Sequence, residues 1–128
     1  MSSTPPIVVA REDHARLLEI INTSDSTDIL DQLEVELERA HVSPLAEIPE
    51  DVVVMNSEVE YEDVESSRRR TLQLVFPHRA DSNANRVSIL APLGCALLGL
   101  RVGQEIDWRM PGGLRRIRVL SVKRCAEA

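Results

Sequence analysis

Residues 91–105 read Ala91-Pro92-Leu93-Gly94-Cys95-Ala96-Leu97-Leu98-Gly99-Leu100-Arg101-Val102-Gly103-Gln104-Glu105, an apolar stretch bracketed by proline and glycine. Pro92 stands where a first helical position falls, because its missing N–H has no intrahelical partner there anyway; Gly99 stands where helices commonly end. Between them lie about two apolar turns, a helix short enough to need burial on both sides. Val102-Gly103 then turns the chain into Glu105-Ile106-Asp107-Trp108-Arg109. Pro111-Gly112-Gly113 is a hairpin signal, and residues 114–122 return as the last strand. A short buried helix leading into a β-hairpin points to an α+β domain.

Upstream, the pattern is also β. Val52-Val53-Val54-Met55 is a short apolar run, and Glu58-Val59-Glu60-Tyr61-Glu62 alternates polar and apolar as a half-exposed strand does. Glu65-Ser66-Ser67 makes a turn, Arg70-Thr71-Leu72-Gln73-Leu74-Val75-Phe76 is a strand stopped by Pro77, residues 78–85 form a polar loop, and residues 86–90 form a short strand.

Before residue 48 the period becomes helical. Ile7-Val8-Val9 reads as a brief extended segment, and from about Arg11 the residues His14, Leu17, Leu18 and Ile21 follow the i, i+3, i+4, i+7 rule. Residues 22–25 are turn and capping types. Leu30, Leu33, Leu37 and Ala40 recur at 3-4-3 spacing in a second helix over about 26–41, a seam two heptads long. Two such helices joined by a few residues predict an antiparallel helical hairpin at about 8–43, followed by a linker marked by Pro44 and Pro49. The expected domains are 1–48, hairpin and linker, and 49–128, a sheet domain.

Net charge is −6 over 128 residues, but residues 1–67 carry 17 acids against 3 bases and residues 68–128 carry 12 bases against 4 acids. This asymmetry reads as a solubilising acidic face or an oriented partner surface. The three aromatics, Tyr61, Phe76 and Trp108, are too few for base-stacking nucleic-acid recognition. Cys95 and Cys125 lie far apart, and His14, His41 and His78 are scattered, so no metal-ligand set is expected. No apolar run approaches a membrane span, and the first residues lack a signal-peptide pattern, so a cytoplasmic location is expected. Gly94, Gly99 and Gly103 form no phosphate-loop motif and read as cap and turn glycines. The basic runs Arg68-Arg69-Arg70 and Arg115-Arg116 with Arg118 suit phosphate contacts, a solvated edge strand, or an acidic protein partner.

Residues 91–105 followed by Pro111-Gly112-Gly113, with Val54-Met55-Asn56-Ser57-Glu58-Val59 upstream, closely resemble the C-terminal domain of the bacterial Gre transcript-cleavage factors. Both segments at this separation make the resemblance specific, and it covers essentially the whole chain. Within the family, the short N-terminal region and residues 48–57 are most similar to the branch that regulates nucleoside diphosphate kinase. That implies an influence on the level of this enzyme.

The resemblance implies an FKBP-like antiparallel sheet with one short helix, behind an N-terminal antiparallel coiled coil. It also implies RNA polymerase as partner, bound at the secondary-channel rim. The family's acidic-Ser-Pro docking stretch falls on Leu90, Ala91 and Pro92, where only the proline is kept. Gre factors hold paired acids at a long coiled-coil tip, where they help bind a second magnesium ion. Here the tip reads Thr23-Ser24-Asp25-Ser26-Thr27-Asp28, without the family's Gly-Asp-Leu and Glu-Asn pattern. The two helices would span only roughly 17 and 24 Å at 1.5 Å per residue, short of a catalytic centre. Asp25 and Asp28 therefore read as helix caps, and no catalytic residue, metal or cofactor is expected. The expected function is that of a non-enzymatic, monomeric polymerase-binding regulator that competes with Gre factors and recognises no nucleic-acid sequence. An active cleavage factor is one alternative. The other is a prolyl isomerase, a chemistry whose pocket uses more aromatics than this chain has.

Overall fold

The computed structural model describes residues 7–24, 28–110 and 113–125 of the chain. Two compact units are present, Met1–Pro49 and Glu50–Ala128.

The first unit contains β1 (Val8–Ala10), α1 (Arg11–Thr23), α2 (Asp28–Arg39) and β2 (His41–Ser43). Glu12 and Asp13 lie in the first turn of α1, and Asp28 and Asp31 in that of α2, where unpaired N–H groups favour negative charge; Arg39 sits at the opposite pole of α2. Leu17 of α1 and Leu30, Leu33 and Leu37 of α2 are buried, the one-sided stripe that the 3-4 spacing predicts. The His14 ring Nε2 lies 3.2 Å from the Leu37 carbonyl oxygen, so the start of α1 lies beside the end of α2.

Ala40 departs from the expected seam, being half-buried and beyond α2. The cause is β-pairing: the His41 N–H donates to the Ile7 carbonyl at 2.8 Å, and β2 then runs parallel to β1 in the register Val8↔His41, Val9↔Val42, Ala10↔Ser43. The two helices are thus closed at their base by a two-stranded clamp. Val9 and Ala10 are buried within it.

The second unit is a five-stranded sheet, formed by β3 (Glu58–Asp63), β4 (Arg68–Val75), β5 (Arg86–Ser88), β6 (Glu105–Met110) and β7 (Gly113–Lys123), in the order β5-β4-β3-β7-β6. The helix α3 (Pro92–Leu97) contacts β5 and β6. The sheet is not purely antiparallel: β5 runs parallel to β4. Pro77 stops β4, two single 3₁₀ turns (Pro77–Arg79 and Ser82–Ala84) carry the chain around, and left-handed Asn85 re-aims it into β5. A second departure is at Val52-Val53-Val54-Met55, which is buried but forms no strand. Its backbone bonds to the chain after α3 instead, the Val53 N–H to Leu100 O at 2.8 Å and the Gly99 N–H to Val53 O at 2.9 Å. The buried Ser57 hydroxyl accepts from the Val54 N–H at 3.1 Å, which satisfies a donor that β-pairing would have used.

Alternation along the strands sets two faces. Val59, Tyr61, Leu72, Leu74, Ile117 and Val119 form the buried face; Glu62, Arg69, Arg116 and Arg118 belong to the other.

Candidate partner-docking surface

The three residues expected to dock form the corner between β5 and α3. Ile89 is buried, its N–H bonded to Val75 O at 2.9 Å; the Leu90 N–H donates to the Ser88 hydroxyl at 3.0 Å and the Ala91 N–H to Ser88 O at 2.9 Å. The corner is therefore tied to the sheet at each step. Leu90 and Ala91 are half-buried and Pro92 is exposed. Ala91 occupies the N-cap of α3 in an extended conformation with no side-chain cap. Serine there can accept from a free N–H of the first turn, so Ala91→Ser is expected to stabilise the unit by about 1 kcal/mol. A urea midpoint no higher than that of the parent would contradict this expectation.

Gly94 has a role beyond capping and turning. A Cβ built on it would stand 2.2 Å from Ser88 O and 3.1 Å from Leu74 Cδ1. Only a residue without a side chain lets α3 pack this closely on the end of β5.

The basic runs sit within an ordered charge array. On the solvent face, Glu62 lies 3.8 Å from both Arg69 and Arg118; Arg118 also hydrogen-bonds Glu105 through Nε at 2.8 Å, and Arg116 reaches Asp107 at 3.3 Å and Glu105 at 3.9 Å. The hydrogen bond and charge of Glu105 push the Arg118 guanidinium pKa up, keeping it firmly cationic. The array crosses four strands. Each pair is solvent-exposed and individually worth little, but together they fix the lateral order of the strands. Four of the six arginines of the two basic runs, Arg69, Arg115, Arg116 and Arg118, are thus engaged within the chain, Arg115 with Asp63 at 3.1 Å. The Arg68 end of β4 extends past the β5 pairing, which involves only Gln73, Leu74 and Val75, so it is locally an edge.

Residues 48–124 match the family described as transcription elongation factor, GreA/GreB, C-term. The chain belongs to this GreA/GreB family. Residues 5–42 match a second description, Rnk N-terminus. The chain is 43% identical over 86 residues to the regulator of nucleoside diphosphate kinase of Escherichia coli K12, covering 67% of this chain and 63% of that protein. It is 35% identical over 92 residues to the transcription elongation factor GreA of Rhodospirillum rubrum, covering 72% of this chain and 59% of that one. The matched region thus spans about three fifths of these relatives' length. Among solved structures, a prokaryotic GreA/GreB elongation factor from Nitrosomonas europaea superposes with a TM-score of 0.82 at 42% identity, covering 94% of this chain and 99% of that one. GreA factor homolog 1 of Thermus thermophilus gives 0.51 at 26% identity, covering 91% and 97%.

In this GreA/GreB-family chain the expected site residues fall in separate places. Leu90, Ala91 and Pro92 are contiguous on the second unit's corner. Leu17, Leu30, Leu33 and Leu37 meet in the first unit, with Leu18 and Ile21 half-buried. Asp28 is exposed at the start of α2, and Asp25 lies outside the described residues. Among the described residues no three His, Cys, Asp or Glu side chains converge as a metal site would, and no helix is long and apolar enough to cross a membrane. Sequence reasoning missed Tyr61 as more than a strand residue. It is register-paired with Arg70, and burial pushes its phenol pKa above the ordinary value of about 10 while the Arg70 cation pulls it back.

The sign of the linkage follows from that shift. The native state keeps the phenol proton after the unfolded chain has lost it, so stability falls as pH rises from about 10 through the native midpoint. Tyr61 is the chain's one tyrosine. Titration at 295 nm is expected to show a midpoint above about 10, higher again in Arg70→Met, and to return to about 10 in urea. A midpoint at or below 10 in the folded protein would refute the burial argument.

Proposed function

We propose that this chain is a transcription regulator that binds RNA polymerase at the secondary-channel entrance through the corner at Leu90, Ala91 and Pro92, and does not itself cleave transcripts. The observation that carries this reading is the shortness of the arm in a chain whose sheet unit is of the GreA/GreB type. α1 and α2 have 13 and 12 residues, so neither spans more than about 20 Å at 1.5 Å per residue. The resemblance implies that cleavage factors use a much longer arm to carry paired acids to the active site. A short antiparallel coiled coil with acids such as Asp28 in the first turn of α2 would fill the channel mouth without reaching the metal. Its acidic surface suits a basic channel, where charge complementarity speeds encounter.

The FKBP-like sheet unit supplies the rigid corner, and with so few aromatics it is a docking module rather than an isomerase. Competition with Gre factors for one site follows. The influence on nucleoside diphosphate kinase levels implied by the resemblance would be a transcriptional consequence of that competition.

The test is co-elution with core RNA polymerase and displacement of a fluorescently labelled Gre factor. Displacement is expected for the parent chain and is expected to weaken at least about fivefold in Pro92→Asp, which puts a charge on the exposed helix start. Absence of both co-elution and displacement would overturn the docking reading. Magnesium-dependent shortening of transcripts in backtracked complexes would overturn the claim of no cleavage.

A further inference from the structure

On the buried face of the sheet, the apolar residues give out beyond Tyr61 and Ile117 and are replaced by charge. Strand alternation brings Tyr61 and Asp63 of β3, Arg68 and Arg70 of β4, and Arg115 and Ile117 of β7 around one open hollow of about 540 Å³, with Ser66 of the β3–β4 turn at its edge. The volume falls within the range of small-molecule sites, but the lining is more polar than is usual for them: Asp63, Ser66, Arg68, Arg70 and Arg115 surround the two apolar side chains of Tyr61 and Ile117.

The charge in this hollow is unbalanced. Three guanidinium groups face one carboxylate, and that carboxylate is already committed. Asp63 Oδ2 binds Arg115 at 3.1 Å, and Asp63 Oδ1 accepts from the backbone N–H groups of Glu65 at 3.1 Å and Ser66 at 3.4 Å. Among the described residues, Arg68 and Arg70 have no ion-pair partner. On the opposite face of the sheet, by contrast, Arg69, Arg116 and Arg118 each have an acidic partner among Glu62, Glu105 and Asp107. In a chain of net charge −6, two unmatched arginines converging on one hollow mark a place where an anion belongs.

We propose that this hollow binds a small phosphate-bearing molecule, from pyrophosphate up to a nucleoside diphosphate in size, held by Arg68 and Arg70. Guanidinium groups present paired N–H donors that match phosphate oxygens, giving short charge-assisted bonds. Tyr61 and Ile117 offer an apolar floor on which an organic part can lie. The lining residues converge from three strands onto one point rather than running along a single strand, which suits a compact anion better than an extended acidic peptide. The site is independent of the polymerase-docking reading and lies in the second unit alone.

Calorimetric titration of the full chain at about 0.1 M ionic strength tests this, with pyrophosphate, ADP and GDP as probes, and sodium sulfate and an acidic decapeptide as comparisons. Saturable binding of at least one phosphate probe is expected, at least about tenfold tighter than sulfate. It should weaken at least about tenfold in Arg68→Gln/Arg70→Gln and stay within about twofold in Arg69→Gln on the opposite face. Equal affinity for pyrophosphate and ADP would locate the recognition in the phosphates; tighter ADP or GDP would add the apolar floor. As a second readout, saturating pyrophosphate should move the Tyr61 titration midpoint upward, because the bound anion offsets the Arg70 cation. The proposal is overturned if no phosphate probe saturates below about 10 mM. It is equally overturned if the double variant, with its unfolding midpoint unchanged, binds as the parent does, or if only the decapeptide binds.

Discussion

Gly94→Ala is expected to lower the melting temperature of the second unit by about 8–16 °C. The added Cβ would lie 2.2 Å from Ser88 O, far inside contact distance, with Leu74 Cδ1 blocking on another side at 3.1 Å. The nearest atom belongs to the backbone and is itself engaged, since Ser88 O accepts from the Ala91 N–H. Relief therefore requires α3 to move as a body away from β5. Forced overpacking costs about 1–3 kcal/mol or more, partly offset by the roughly 1 kcal/mol that alanine gains over glycine within a helix. With the added Cβ only 2.2 Å from a backbone oxygen, the upper figure of about 3 kcal/mol applies, and the net loss of about 2 kcal/mol gives the stated shift for a unit of this size. Differential scanning calorimetry measures it directly, and a change smaller than 3 °C would mean that the helix is not held as described. Because α3 begins at Pro92, the same variant should also weaken any binding that depends on the corner.

Leu37→Ala is expected to unfold the first unit while leaving the second intact. Leu37 is fully buried, and truncating such a leucine costs about 2–5 kcal/mol. A unit of 49 residues has, at about 0.05–0.15 kcal/mol per residue, a total stability of about 2–7 kcal/mol. The loss is comparable to the whole. Helices α1 and α2 together hold 25 residues against 6 in α3, so most of the ellipticity at 222 nm should vanish while the sheet unit keeps its own unfolding transition. Val35→Ala, at a position 53% exposed on the same helix, is the matched control and should change stability by less than about 0.5 kcal/mol. Simultaneous loss of both transitions in Leu37→Ala would show that the two units fold as one.

Legibility in the sequence followed the length of the pattern. The helices and the long strands carry a face-to-face alternation that persists for several residues, and α3 is bracketed by Pro92 and Gly99, so these were readable. The three-residue strand β2 was not: His41-Val42-Ser43 continues a helical stretch without a break signal, and although Ile7-Val8-Val9 reads as extended, the pairing of Val8–Ala10 with His41–Ser43 is a long-range event. The Val52 to Met55 run was misread because burial on all sides looks the same whether a segment forms a strand or a loop.

At the candidate site, the composition revealed the arginines but not their partners. Pairing between β3 and β7 shifts at Glu60/Tyr61, and a one-residue shift changes which charges meet across the sheet. No local pattern announces that bulge. The unmatched pair Arg68 and Arg70 could be recognised only once Arg69, between them, was seen to face the other way.

The clamp of β1 on β2 has a further consequence. The chain enters the helical arm and leaves it at the same end, so the arm is a stem whose far end carries no through-going connection. Matched insertions of whole turns into α1 and α2 would lengthen the stem by about 5.4 Å per turn without disturbing the clamp or anything beyond it. Reach is thus an adjustable quantity in this architecture, set by helix length alone.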